Sequence, residues 1–146
     1  MANTIETITT FNDPSSDSVA AAGLPLQSIQ LTFHTNDDDK DGDTDVSVSV
    51  DNHSLAMGAG NVGGGQHWDD GSTNVAGLPV VNGVDYYDCL GQHMNITIRP
   101  NGNDTWNFNV TLHETFANGA WREVSWNGIS LAEDRPSIDL NATWSS

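Results

Sequence analysis

The sequence predicts an all-β fold, one antiparallel β-sandwich of about eight strands occupying residues 1–146 as a single domain. Three observations lead there. Apolar residues recur at every second position in run after run, the period of a strand with one face in a core and one in water. Asn-Gly pairs and prolines separate these runs, where tight turns need unusual or fixed backbone angles. Aspartate outnumbers glutamate by sixteen to four, and aspartate serves turns where glutamate serves helices.

The strands follow in order. Ile5, Ile8 and Phe11 open the chain with imperfect spacing, and Ile29, Leu31 and Phe33 alternate cleanly. Val46, Val48 and Val50 alternate with serines, and Met94, Ile96 and Ile98 form a further run. Trp106, Phe108, Val110, Leu112 and Phe116 make the longest run, interrupted by Glu114. Val124 and Trp126 come next, then Ile129 and Leu131, then Ile138, Leu140 and Trp144. A weaker strand is expected within residues 78–90. Residues 57–74, "MGAGNVGGGQHWDDGSTN", are glycine-rich enough to read as one long loop, and long loops in compact domains often carry function. Trp106, Trp126 and Trp144 continue apolar faces and are assigned to the core, whereas Trp121 falls out of phase and is assigned to the surface. No repeat of fixed period occurs, so a propeller or solenoid is not expected.

Composition narrows the function classes. The formal net charge is -16, with Lys40, Arg99, Arg122 and Arg135 the only basic side chains. Such a surface repels nucleic-acid phosphates, and it repels anionic membranes unless a metal intervenes. Halophilic adaptation would spread acids evenly and use glutamate too, but here they cluster. No apolar run is long enough for a membrane helix. The start, "MANTIETITTF", has neither the basic stretch nor the apolar run of a signal peptide. Cys89 is the only cysteine, so no internal disulfide is expected and a small buried residue is the simplest reading.

Residues 37–45 carry the strongest chemical signal. Asp37, Asp39, Asp41 and Gly42 spell D-x-D-x-D-G, Asp45 follows, and Asp38 and Asp43 fill positions between. Calcium takes oxygen ligands at roughly 2.3–2.6 Å, so alternate side chains turn inward while glycine allows the bend. An EF-hand would place glutamate at the twelfth loop position, where Val48 stands, and would have flanking helices. The pattern is similar to strand–loop–strand calcium loops of some propeller blades, in a single copy. The alternative is a solvated turn that keeps a sheet edge soluble. Within the calcium reading the register stays open, since Asp38 and Asp43 can ligate in place of their neighbours.

A resemblance covers more of the chain. Residues 31–50, "LTFHTNDDDKDGDTDVSVSV", and 95–112, "NITIRPNGNDTWNFNVTL", resemble parts of C2-like or PLAT-like calcium-binding sandwiches. The resemblance implies a jelly-roll or C2-like sandwich whose metal loops crowd at one end. It also implies further aspartates from a second loop, for which Asp104, Asp69 with Asp70, and Asp85 with Asp88 are alternatives.

Other signals are weaker. In "QHWDDGS", residues 66–72, Trp68 reads as a stacking platform for a sugar ring, with Asp69 and Asp70 accepting hydroxyl hydrogen bonds. Equally, Trp68 folds back to cap the sandwich and the aspartates cap turns. The five histidines include no close ligand pair, which argues against zinc. Glu114 and Glu123 can form an acid pair across a hairpin, as in glycosidases, and rim residues are the commoner use of such glutamates. No G-x-S-x-G, phosphate loop or dinucleotide fingerprint occurs. Five N-x-S/T sequons, at Asn52, Asn95, Asn103, Asn109 and Asn141, fit the asparagine-rich composition.

The expectation is therefore a non-enzymatic recognition module acting outside the cell or at its surface. It binds Ca2+ through residues 37–45, and it binds carbohydrate through Trp68, Asp69, Asp70 and Asp104. Nucleic acid is excluded, a membrane is reached only through calcium, and a homo-oligomer is open. The competing expectations are a calcium-stabilised structural or assembly protein and a C2-like lipid-binding domain.

Overall fold

A computed structural model describes residues 6–12, 25–52, 55–62, 66–100, 105–117 and 119–142. Ile5, Asp104 and Trp144 lie outside them. Nine strands occur among the described residues: β1 (Glu6–Asn12), β2 (Leu26–Asp38), β3 (Asp45–Asn52), β4 (Leu55–Val62), β5 (Thr73–Leu78), β6 (His93–Arg99), β7 (Thr105–Phe116), β8 (Trp121–Ala132) and β9 (Ser137–Asn141). They form a five-stranded sheet, β1-β8-β7-β2-β5, and a four-stranded sheet, β4-β3-β6-β9. Every strand pairing is antiparallel. The fold is the expected all-β sandwich.

Period-2 patterning builds the core. Leu31 and Phe33 from β2, Val46, Val48 and Val50 from β3, and Met94, Ile96 and Ile98 from β6 are buried. So are Trp106, Phe108, Val110 and Leu112 from β7, with Val124, Trp126, Ile129 and Leu131 from β8. Ile29 and Leu140 complete the inner faces from β2 and β9. Burying one such side chain stabilises by about 1.5–3 kcal/mol, which is why alternation alone sets most of the strands.

One irregularity joins two expected runs into one strand. Phe108 pairs with Ile129 and Val110 with Trp126, so Asn109 faces both Asn127 and Gly128. Gly128 has φ 81° and donates its N–H to Asn109 Oδ1 at 2.9 Å. This β-bulge explains the three-residue step from Trp126 to Ile129 within β8.

Three expectations are corrected. Residues 57–74 are not one loop: β4 occupies the first part and β5 begins at Thr73. The glycines in β4 mark close approach rather than a flexible connection. A Cβ on Gly58 would stand 2.8 Å from the Pro79 carbonyl oxygen, where the chain bridges Gly58 to Val80. Residues 78–90 are not a strand but an irregular segment ending in a short 3-10 helix, Tyr87–Gly91. Asp85 and Asp88 accept each other's backbone N–H at 3.0 Å, a reciprocal arrangement that engages one oxygen of each carboxylate.

The third correction concerns Glu114. It does not interrupt β7 but keeps the inward phase, fully buried opposite Arg122 of β8. Glu123 lies on the outer face beside His113, so the two glutamates form no acid pair. Arg122 Nε stands 3.4 Å from Glu114 Oε1, and Arg122 donates to the carbonyls of Cys89 and Ala142. Gln92 Nε2 donates to Glu114 Oε2 at 2.6 Å. Burial raises the Glu114 pKa, and the Arg122 charge opposes that rise. Cys89 is buried as expected, and desolvation pushes its thiol pKa far up, which keeps it protonated and unreactive.

Candidate metal centre

The acidic loop links the two sheets. β2 ends at Asp38 in the five-stranded sheet and β3 starts at Asp45 in the four-stranded one. A second segment, residues 66–72, is fastened to it by backbone hydrogen bonds. Lys40 N donates to Trp68 O at 3.1 Å and Trp68 N to Lys40 O at 3.0 Å. Gly71 N donates to Thr35 O at 2.8 Å and Thr35 N to Ser72 O at 2.9 Å. The two segments thus carry the β2 pairing past the end of the sheet.

Lys40 organises the loop. It is fully buried, and its ammonium donates to three backbone carbonyls: Asp41 at 3.1 Å, Thr44 at 3.1 Å and Gln66 at 2.5 Å. Three donors meet three acceptors, which is the full capacity of the group. Nζ also stands 5.1 Å from the Trp68 ring centroid, within cation–π range. The loop carbonyls therefore converge on a cation that belongs to the chain itself. These three oxygens are therefore engaged from within rather than turned to an external ion.

Trp68 is only 4% exposed, packed 5.4 Å from both Phe33 and Trp106 between ring centroids. Its indole N–H donates to Gln66 Oε1 at 3.1 Å, and the Trp106 N–H donates to Thr35 Oγ1 at 3.1 Å. Trp68 caps this end of the core. That corrects the stacking-platform reading, since a sugar ring cannot reach a buried face. Trp121 is half-buried on the outer face, stacked on His113 at 5.4 Å.

The aspartates divide. Asp37 is exposed and accepts from Asn107 Nδ2 at 3.1 Å. Asp41, Asp43, Asp45 and Asp70 are exposed, and Asp38 is half-buried. Among the described residues one group gathers three potential metal ligands: Asp39, His67 and Asp69, with ligand atoms all within 4.8 Å of one another. His67 Nε2 lies 2.5 Å from Asp39 Oδ2 and 3.5 Å from Asp69 Oδ1. The hydrogen bond to Asp39 raises the His67 pKa, with Asp69 and Asp41 adding to the rise.

Two of these three were among the sequence candidates, in separate segments, and His67 was not. The signal for it is His-x-Asp at 67–69 in an extended stretch, where alternate side chains share a side. The signal for Lys40 is that it is the sole lysine, set among six aspartates. One imidazole and two carboxylates suit a transition metal such as Zn2+ or Mn2+ better than Ca2+, which takes six to eight oxygens.

Compared with known protein families and with curated proteins, the chain matches none.

Proposed function

We propose that the protein is a non-catalytic carbohydrate-recognition module with a divalent cation at one end of its sandwich. The convergence of Asp39, His67 and Asp69 carries this reading. Their side chains are 37–80% exposed, which leaves coordination positions open to water or sugar hydroxyls. Asp70, exposed beside them, is a further hydroxyl acceptor. The donor set favours Zn2+ or Mn2+, with Ca2+ as the comparison metal.

The loop geometry argues against a metal that merely ties the fold together. Lys40 already cross-links the loop from inside, so an ion at the surface cluster has little left to stabilise. A lipid-binding role is disfavoured because four basic residues in a chain of charge -16 supply no cationic patch.

Calorimetric titration with Zn2+, Mn2+ and Ca2+ tests the metal, and a glycan array with and without EDTA tests the ligand. Saturable binding is expected in the wild type and loss of at least about tenfold in affinity in His67→Gln. Metal requires neutral imidazole, and Asp39 holds the imidazole pKa up. Affinity is therefore expected to rise with pH through that elevated pKa, and the pH dependence to flatten in His67→Gln. Binding of no metal by the wild type would sink the proposal.

A further inference from the structure

The outer face of the four-stranded sheet carries an open groove of about 370 Å3. Its lining is a grid of two cross-strand rows: Asn61, Ser47 and Thr97, then Ala59, Ser49 and Asn95. The short serines of central β3 form the floor, Asn95 and Thr97 of β6 form one rim, and Asn61 of β4 stands opposite, with Ala59 and Gly60 leaving that side low. None of the lining residues is charged, in a chain with twenty acidic residues. Charge frames the grid instead. Asp45 pairs with Arg99 at one end and Asp51 with His93 at the other.

The polar groups are aimed. Ser47 Oγ donates to Asn61 Oδ1 at 2.8 Å, and Thr97 Oγ1 donates to Asn95 Oδ1 at 2.9 Å. Both carboxamides are thereby held by their oxygens, Asn95 Oδ1 also accepting from Ser137 Oγ at 3.4 Å, and their NH2 groups are the part that can still donate. The Ser47 hydroxyl oxygen keeps acceptor capacity, the Thr97 hydroxyl is shared with Ser137 Oγ at 2.9 Å, and the Ser49 hydroxyl adds a donor and an acceptor. The groove therefore offers paired donors and acceptors on a rigid sheet, without a charge to attract or repel an ion. Its volume falls within the range of small-ligand sites, about 300–1,000 Å3.

We infer that this groove binds a neutral oligosaccharide chain. A sugar presents hydroxyls that both donate and accept, and it carries no charge for this strongly acidic protein to repel. The fixed amides reduce the ordering cost of binding. No aromatic ring lines the groove, so binding rests on hydrogen bonds and is weak, near the millimolar range. The inference shares a ligand class with the proposed function but needs no metal, and it places the sugar on the sheet rather than at the loop end.

The test is an NMR titration of 15N-labelled full-length protein with cellohexaose, maltohexaose and mannohexaose, in EDTA and in Zn2+. Saturable shifts are expected in the Asn61 and Asn95 side-chain amides and the Ser47 and Ser49 backbone amides, unchanged by EDTA. Ser49→Val and Asn61→Ala, both on the outer face, should weaken those shifts at least tenfold while leaving the rest of the spectrum in place. Absence of saturable shifts at these residues with all three sugars overturns the inference. So do shifts seen only with an acidic probe such as oligogalacturonate. Shifts confined to His67 and Asp69 and lost in EDTA overturn it too, while upholding the metal reading; shifts at the grid without metal binding do the reverse.

Discussion

Arg122→Met is expected to lower the unfolding free energy by about 3–5 kcal/mol, read from urea midpoints, because it leaves the buried Glu114 carboxylate without its countercharge. It also strips the donors from the carbonyls of Cys89 and Ala142. Arg122 thus joins β8 to the 3-10 helix and to the end of β9, three elements with little other direct contact. Glu114 binds its proton more tightly in the native protein than an unfolded glutamate does. Stability from that group is therefore fully present below the unfolded value and falls as pH rises through the native one. Without Arg122 the native pKa climbs further, so the penalty in Arg122→Met should shrink on the acid side. A second variant separates charge from packing. Glu114→Leu with Arg122→Met should recover much of the loss, since replacing both buried partners by apolar groups is far less costly than orphaning one. A penalty independent of pH in Arg122→Met, and undiminished in the double variant, would contradict this account.

Lys40→Met should cost about 3 kcal/mol, the next largest effect, since charge-assisted hydrogen bonds contribute roughly 1.5–3 kcal/mol each and part of this is offset by relief of ammonium desolvation. Methionine matches the stem of lysine but donates nothing, so the carbonyls of Asp41, Thr44 and Gln66 lose the donor they share. Lys40→Arg should not restore stability, because a planar guanidinium cannot point three donors at one convergent set of oxygens. Calcium gives a sharper readout. In the wild type the ammonium occupies the position where loop carbonyls would hold an ion, so added Ca2+ should shift the melting midpoint little. In Lys40→Met those oxygens are vacated among six aspartates, and Ca2+ should recover part of the lost stability. Equal stability of Lys40→Met and wild type would refute the role given to the ammonium.

The strands legible in the sequence are those whose apolar residues face one way. β3, β6 and β7 carry strict alternation, β2 and β8 carry alternation broken by one irregularity each, and their inner faces make the core. β4 and β5 escaped because their residues are small or face outward. Gly58 and Gly60 pack against the neighbouring chain in β4, and Val75 of β5 is 58% exposed. Composition cannot separate a glycine that bends a loop from one that admits a close neighbour. The candidate site was legible in outline only. The acidic loop lies between the two sheets as the flanking alternation implied. Which groups face which could not be read, because Lys40 meets Gln66 and Asp39 meets His67 across 26 and 28 residues of chain. Trp68 was undecidable for the same reason: its neighbours Phe33 and Trp106 are distant in sequence.

The placement of the four basic side chains has a further consequence. Trypsin cuts after lysine and arginine, but not where the next residue is proline. Lys40 and Arg122 are fully buried. Arg99 and Arg135 are exposed, yet Pro100 follows one and Pro136 the other. The folded chain therefore offers trypsin no bond to cleave, and its only lysine is closed to amine-directed labelling. Digestion at Lys40 or Arg122 has to await opening of the loop or the core, so the rate of appearance of those two cuts reports each opening separately.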